Sequence, residues 1–506
     1  MSELPLLSSL IALPLVAAAS LFLLNDGRHI RTLALAATLI ETLLATVPIL
    51  LGDFSHGGML WLERYRWIPS LHIDYLVGID GLSAYFLPLT ALLTTLTVLA
   101  SWNVVRHFEA LFFALLLILE SVTLGIFCAL DIGLFFLFWE LTLVPIYFLI
   151  SLWGIGPNRR HAAAKFTLMM LGGGTLILVG FALLALNHAE QSSLQGYQGL
   201  SFDVLQLLDT PMSMSVQSAV FWLLFLGFAF KAPLFPFHVW LPLAAMEGPI
   251  ALTALLTGLK LGVYGMIRFA IPLAPEASHR FAGLMAALGI FTSLYGGLLA
   301  LRQTNLRRLL AYSSVSHVGL VVVGISTLNF QGLQGAIFQL VNFAVVAGGL
   351  FLVCGFIQLR TGSTDLTALG GLAKPLPLLS TLFFILGIAG LGIPGTNGFP
   401  AENLILLGAF KAHAGLGLGS LLSVIIGAAY FLSYFQRAFL GPVPERFATP
   451  TTDLRPREKL IAMICLAVIL AHGLYPKAVL DITDAAIRTW LKHVNDIDPM
   501  TMANAR

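Results

Sequence analysis

Leu111-Phe-Phe-Ala-Leu-Leu-Leu-Ile-Leu-Glu120-Ser-Val-Thr-Leu-Gly-Ile-Phe-Cys-Ala129 runs for nineteen residues with a single charge. About 20 such residues, rising 1.5 Å each as a helix, cross the ~30 Å hydrocarbon core of a bilayer. Runs of the same kind fill the chain on either side. They lie at 4–24, 32–51, 80–101, 108–129, 132–153, 164–186, 217–241, 248–273, 282–301, 308–328, 332–358, 375–408, 417–440 and 458–476. Their apolar character is continuous, which excludes the alternating pattern of a lipid-facing β-barrel. The expected fold is an all-α polytopic membrane protein of about 14 transmembrane helices.

Composition agrees. Of 506 residues, 58% are hydrophobic and 10% charged, and the mean hydropathy is +0.91. Soluble domains carry about 45–50% apolar and about 25% charged residues. A soluble protein and a disordered one are therefore excluded. So is a nucleic-acid binder, because 27 Lys and Arg against 25 Asp and Glu leave only +2. The lipid bilayer is the first expected partner.

Cys128, Cys354 and Cys465 are far apart in apolar runs, with no CxxC or Cys/His spacing for a metal or cluster. They are read as buried small hydrophobes. No GxxxxGK[ST] stretch offers a nucleotide site. No cofactor and no metal are expected. Met1-Ser-Glu-Leu-Pro5 lacks the basic start of a cleaved signal peptide, so the first apolar run is read as a span.

Basic residues sort by face. Loops after odd-numbered runs hold sixteen, among them Arg28, Arg159, Arg307, Arg360 and Arg446; the others hold eight, counting four in the C-terminal tail. The richer face is expected in the cytoplasm, with both termini outside. The 187–216 loop has Glu190, Asp203 and Asp209 but no base, which suits the outer face.

A repeat is legible. Gly173-Gly-Thr-Leu-Ile-Leu-Val-Gly180 returns as Gly348-Gly-Leu-Phe-Leu-Val-Cys-Gly355, at an offset of 175 residues. Glu140 and His317 stand 177 apart, and Lys231 and Glu402 stand 171 apart. Two five-helix units result, runs 4–8 and 9–13, and an odd helix count makes them inverted. Inverted repeats belong to secondary transporters, whose sites lie where interrupted helices meet. The expected divisions are 1–107, a first repeat at 108–273, a second at 282–440, and 441–506. Lys231-Ala-Pro-Leu-Phe-Pro-Phe-His-Val-Trp-Leu-Pro242 marks helix 7 as discontinuous, and Gly392-Ile-Pro-Gly-Thr-Asn-Gly-Phe-Pro400 marks helix 12. Each proline removes a donor and frees a carbonyl. At membrane depth that is tolerated only against protein or a wet cavity.

Glu140, Lys231, Lys260, His317 and Glu402 fall within apolar runs. An ionisable side chain there costs about 2.5–3.5 kcal/mol on insertion scales, so each needs a purpose. Glu140 can pair with Lys231 if helices 5 and 7 touch. Away from water a lone lysine releases its proton more readily and a lone glutamate holds its more tightly. A lysine whose partner comes and goes can thus take up and release a proton. Glu41 and Glu120 also fall mid-run and are read as packing or subunit-contact residues. The pattern is a line of titratable groups without redox machinery.

Phe138-Trp-Glu140-Leu-Thr-Leu-Val-Pro145, the Lys231–Pro242 stretch and Leu309-Leu-Ala-Tyr-Ser-Ser-Val-Ser-His317 resemble the antiporter-like subunits of respiratory complex I. Gly78-Ile-Asp80-Gly-Leu-Ser83 and Lys260-Leu-Gly-Val-Tyr-Gly-Met-Ile-Arg268 extend the resemblance over nearly the whole chain. Within that family, fourteen spans and an acid at Glu402 resemble the M type rather than the L and N types. The resemblance implies a non-redox subunit of an NADH–quinone oxidoreductase in a bacterial inner membrane, beside L- and N-type partners. By the same implication Glu140 modulates Lys231, Lys260 is the central relay lysine, His317 an axis histidine and Glu402 the outward exit. A neighbouring reading is the equivalent subunit of a multisubunit Na⁺/H⁺ antiporter or membrane-bound hydrogenase.

Three places depart from the family pattern. Leu243-Ala-Ala245 and Glu247-Gly-Pro249 replace the usual Asp-Ala-His and Glu-Ala-Pro. Pro400-Ala-Glu-Asn403 replaces the usual Gly-Glu-Phe around Glu402. Phe343, beside Asn342, stands where an axis histidine is usual. Phenylalanine carries no proton, so either water bridges to Glu402 or the chain is a non-conducting structural paralogue.

Overall fold

The computed structural model describes residues 5–194, 199–444 and 452–496; Arg446 therefore lies outside the described residues. Helix occupies part of each of the fourteen apolar runs. Among the described residues, ten helices are long and apolar enough to cross a bilayer unaided, from Gly27–Leu51 to Ala414–Phe439. Leu6–Leu21, Phe86–Ser101 and Pro377–Ala389 are apolar but shorter. Phe330–Thr361, with 32 residues, is the buried centrepiece, packed by Ile250–Gly258, Leu306–Ser326 and Gly398–Ala412. Apolar side chains point outward as well, such as Val16, Leu43, Leu168 and Leu407, as lipid or neighbouring helices require.

Among the described residues, one element is not helical. Leu60–Ile68 and Ile73–Ile79 form an antiparallel hairpin, with Tyr65 opposite Tyr75. Aromatic and β-branched residues alternating with Glu63, Arg64 and Arg66 favour a strand with one wet face. The hairpin fastens helix ends. The Glu63 carboxylate accepts from the Leu7 and Ser8 amides at 2.8 and 3.2 Å, two donors that the first helix cannot satisfy itself. Arg64 pairs with Asp203. Asp131 caps the helix Ile132–Leu141 through the amides of Gly133 and Leu134, and accepts from Asp74 N at 3.1 Å.

Loop contacts respect the two faces inferred from alternation. Arg64 meets Asp203, both in loops after even-numbered runs. Arg31 meets Glu109 at 3.2 Å, Arg360 meets Glu458, and Arg307 donates to Gly248 O at 2.6 Å; each joins a loop after an odd-numbered run to the start of an even-numbered run. The last described element is an amphipathic helix, Lys477–Asn495, bent 64° from Pro456–Leu474. Trp490 Nε1 donates to Ile267 O at 2.8 Å, and the His493 ring bonds Pro272 O at 2.9 Å. That helix thereby closes over carbonyls near a π-turn at Met266–Ala270.

Candidate functional site

Lys231 is the last residue of the helix Met214–Lys231. Pro233 and Pro236 stop the helix, which resumes at Trp240–Glu247 after a short 3₁₀ turn. The break leaves few orphans. Phe230 O accepts from Trp240 Nε1 at 2.8 Å, Leu234 N donates to Ala229 O at 3.1 Å, and Phe235 N donates to Thr292 Oγ1 at 3.3 Å. The Lys231 ammonium lies 4.1 Å from the centre of the Trp139 ring and donates to Thr142 Oγ1 at 2.7 Å.

Helices 5 and 7 therefore touch, but the expected Glu140–Lys231 pair does not form. Thr142, at the bend between Ile132–Leu141 and Leu143–Trp153, takes the ammonium instead. The Glu140 carboxylate packs against Gly174, where an added Cβ would collide with Oε1, and that oxygen is buried without a hydrogen-bond partner.

Lys260 occupies a second break. The helix Ile250–Gly258 stops, Leu259 and Lys260 leave helical geometry, and Leu261–Gly265 resumes. Gly262 lets this turn press on the backbone of Ala232, directly after Lys231. The sequence predicts breaks only in helices 7 and 12; this third one was not anticipated. Lys260 is 5% exposed. Its ammonium donates to Ser314 Oγ at 2.5 Å and stands 5.4 Å from the Phe343 ring centre. Among the described residues no carboxylate lies within 4.0 Å of it.

One helical turn beyond Ser314 comes His317, on the helix Leu306–Ser326. Its Nδ1 is 3.7 Å from Glu402 Oε1, and its Nε2 is 3.1 Å from the Tyr430 hydroxyl, which also bonds Ser313 at 2.7 Å. Glu402 sits in the first turns of Gly398–Ala412, just past the break at Gly392–Asn397. Gly392, at φ +63°, folds the loop against the Glu402 carboxylate; an added Cβ there would stand 2.6 Å from Oε2. The Phe343 ring packs edge-on to His317 at 5.8 Å.

Four of the five expected residues thus fall into two linked groups: Lys231 with Thr142, and Lys260–Ser314 leading to His317 and Glu402. Glu140 stands aside. Thr142, Ser314 and Tyr430 were not singled out from the sequence, since hydroxyl residues are ordinary in apolar helices; only the polar stretch around His317 hinted at Ser314. Asp80 and Arg268, each quoted in a motif, meet as a buried ion pair with both contacts at 2.7 Å. Among the described residues no group of His, Cys, Asp and Glu is arranged to hold a metal.

Two family models match the chain. NADH:quinone oxidoreductase/Mrp antiporter, TM covers residues 129–427, and NADH-ubiquinone oxidoreductase chain 4, amino terminus covers 35–126. NAD(P)H-quinone oxidoreductase chain 4 1 of Synechococcus sp. (strain JA-2-3B'a(2-13)) is 36% identical, over 97% of this chain and 94% of its own length. NADH-quinone oxidoreductase subunit M of Rhodobacter capsulatus is 34% identical over 99% of both. Among solved structures, a chain of respiratory complex I from Thermus thermophilus with bound NADH superposes with a TM-score of 0.87 and 32% identity. It covers 96% of this chain and 99% of its own length.

Proposed function

Since the chain belongs to the NADH:quinone oxidoreductase/Mrp antiporter transmembrane family, we propose that its buried lysine, histidine and glutamate groups form the proton path of the subunit. The chain is a multi-pass, antiporter-like, proton-translocating membrane subunit of a complex I-type assembly, and it works beside other membrane subunits. The match at 35–126 favours complex I over a cation antiporter.

In this reading the chain carries protons and no electrons. Quinone reduction elsewhere in the assembly changes the charge near Glu140, and the change is felt at Lys231. A proton taken from the cytoplasm passes from Lys231 to Lys260, through Ser314 to His317, and leaves by Glu402. The fourteen runs cross a bacterial inner membrane, with runs 4–8 and 9–13 as inverted repeats and both termini in the periplasm. L- and N-type subunits are the neighbours.

The observation that carries the reading is the state of the two lysines. Each ammonium sits at a helix break and holds a hydroxyl rather than a carboxylate. A structural lysine would be matched by an acid; these two are left able to release a proton. Phe343 does not interrupt the route, because His317 reaches Glu402 past it.

Lys231→Ala tests this in inverted membrane vesicles, with proton translocation and quinone reduction followed separately. Proton yield is expected to fall about tenfold, below the usual 10²–10⁴-fold for a positioned acid–base group because Glu140 remains nearby. Undiminished translocation would remove Lys231 from the path. Tyr430→Phe deletes the hydroxyl on His317 Nε2 and leaves the packing. One neutral hydrogen bond is worth about 1 kcal/mol, so about a fivefold fall in translocation rate is expected, with assembly unchanged.

A further inference from the structure

Glu41 and Glu120 are not used by the path above, and neither reaches the surface of the chain. They are 0% and 2% exposed, on the helices Gly27–Leu51 and Glu109–Cys128, which pack together. All four carboxylate oxygens are buried without a hydrogen-bond partner. Among the described residues no basic side chain lies within 4.0 Å of either. An ionised carboxylate so placed is expensive unless something neutralises it.

Glu120 faces a cavity of about 40 Å³ shared with Lys231, Thr90, Thr94, Thr123 and Thr142. One water needs roughly 10–15 Å³ of such space and two or more polar partners, so the cavity can hold a short water chain. Its lining has a one-sided chemistry. Thr90 donates to Phe86 O at 2.6 Å, Thr94 to Thr90 O at 2.9 Å, Thr123 to Leu119 O at 2.7 Å and Thr142 to Trp139 O at 2.7 Å. Each hydroxyl has spent its proton on its own helix and turns lone pairs to the cavity. Such a lining solvates an ammonium, a water or a carboxylic acid. It offers nothing to a carboxylate except the Lys231 ammonium.

We propose that Glu120, across the threonine-lined cavity, is a second proton-exchanging partner of Lys231, with Glu41 on the neighbouring helix as a reserve carboxyl. The inference rests on the reading of Lys231 as a path residue. With Lys231 neutral, Glu120 holds its proton. The O–H bond of Glu120 breaks as a cavity water takes that proton and passes one of its own to Lys231 Nζ. The products are a carboxylate and an ammonium facing each other across the threonines. Because two adjoining carboxyls do not both ionise, Glu41 on the packed neighbouring helix keeps its proton while Glu120 is charged, and the pair is reset when the proton on Lys231 Nζ returns through the same water.

The test uses the intact complex in membrane vesicles and compares Glu120→Gln, Glu41→Gln and Lys231→Ala. Glu120→Gln is expected to slow proton translocation about tenfold at unchanged quinone-binding affinity. It should also remove a protonated-carboxyl band that changes during turnover in infrared difference spectra. Glu41→Gln should leave the band and slow its recovery. Lys231→Ala uncoupled but Glu120→Gln coupled, with its infrared spectrum unchanged, overturns this inference alone. Lys231→Ala fully coupled overturns the path reading as well. Should Glu120→Gln fail to assemble, Thr123→Val removes one acceptor from the cavity at near-constant volume. Slower translocation in that variant supports the proposal, and wild-type translocation rejects it.

Discussion

Arg268→Ala is expected to destabilise the subunit by about 3–5 kcal/mol, the usual cost of removing one partner of a buried ion pair. The guanidinium donates twice to the Asp80 carboxylate, at 2.7 Å each, with the two side chains 7% and 6% exposed. Its Nε donates to the Tyr264 hydroxyl at 3.2 Å, and that hydroxyl donates to Phe127 O at 3.1 Å. Asp80 also accepts from the amides of Leu82 and Ser83. Four segments are therefore tied through one charge pair: the turn at Asp80, the helix Glu109–Cys128, the turn Leu261–Gly265 and the π-turn at Met266–Ala270. Alanine leaves Asp80 buried and unpaired, and that orphan is where the cost arises. The double replacement Asp80→Leu with Arg268→Met removes both charges and is expected to cost much less. The measurement is the yield of assembled complex and its inactivation half-life on warming. If the single and double variants decay alike, the pair is not what holds these segments together.

The sequence separates this pair from the lysines of the proposed path only in part, and the reason is physical. Length and hydropathy betray a bilayer helix because about 20 apolar residues must follow one another, so helix lies where the runs are. Prolines announced the break after Lys231. At Lys260 no proline stands, and the break is carried by Gly258 and Gly262, two glycines that a continuous membrane helix would also accept. Gly262 is needed for the close approach to Ala232, a contact 30 residues away that no local pattern records. The hairpin at 60–79 falls in the gap between two apolar runs, where Glu63 and Arg64 carry no strand signal of their own; Glu63 holds the first helix's amides and Arg64 holds Asp203. Glu140 and Lys231 were expected to meet because their helices do, yet which turn faces which is decided by tertiary packing. One bend at Thr142 puts a hydroxyl where the carboxylate was expected. Phe343 left open a water bridge or a non-conducting axis; that His317 stands 3.7 Å from Glu402 with the Phe343 ring edge-on to it is decided by packing that the sequence does not show. Asp80 and Arg268 were visible only as members of motifs, 188 residues apart.

Lys260→Met should show the opposite signature to Arg268→Ala. The side chain is 5% exposed, bonded to Ser314 and unmatched by any carboxylate within 4.0 Å among the described residues. A buried ammonium with one neutral hydrogen bond is a net cost to the fold. Methionine keeps the length and fits irregular space, so assembly and heat resistance should hold or improve. Translocation should collapse. In the proposed route Glu120, across the shared cavity, cushions the loss of Lys231, whereas Lys260 is the proposed link between that cavity and the His317 group, with no carboxylate within 4.0 Å among the described residues. A loss on the order of 10²-fold or more is therefore expected, the range for deleting a positioned acid–base group. Lys260→Arg is the control: it keeps the charge but holds its proton at any working pH, and it should block as completely as methionine. Translocation surviving in the arginine variant would mean that position 260 supplies only positive charge, and the path would then have to run through water around it. Stability lost without uncoupling would move Lys260 to the same structural class as Arg268. Stability kept with translocation gone separates the two kinds of buried base, one placed to be neutralised and one placed to let go of its proton.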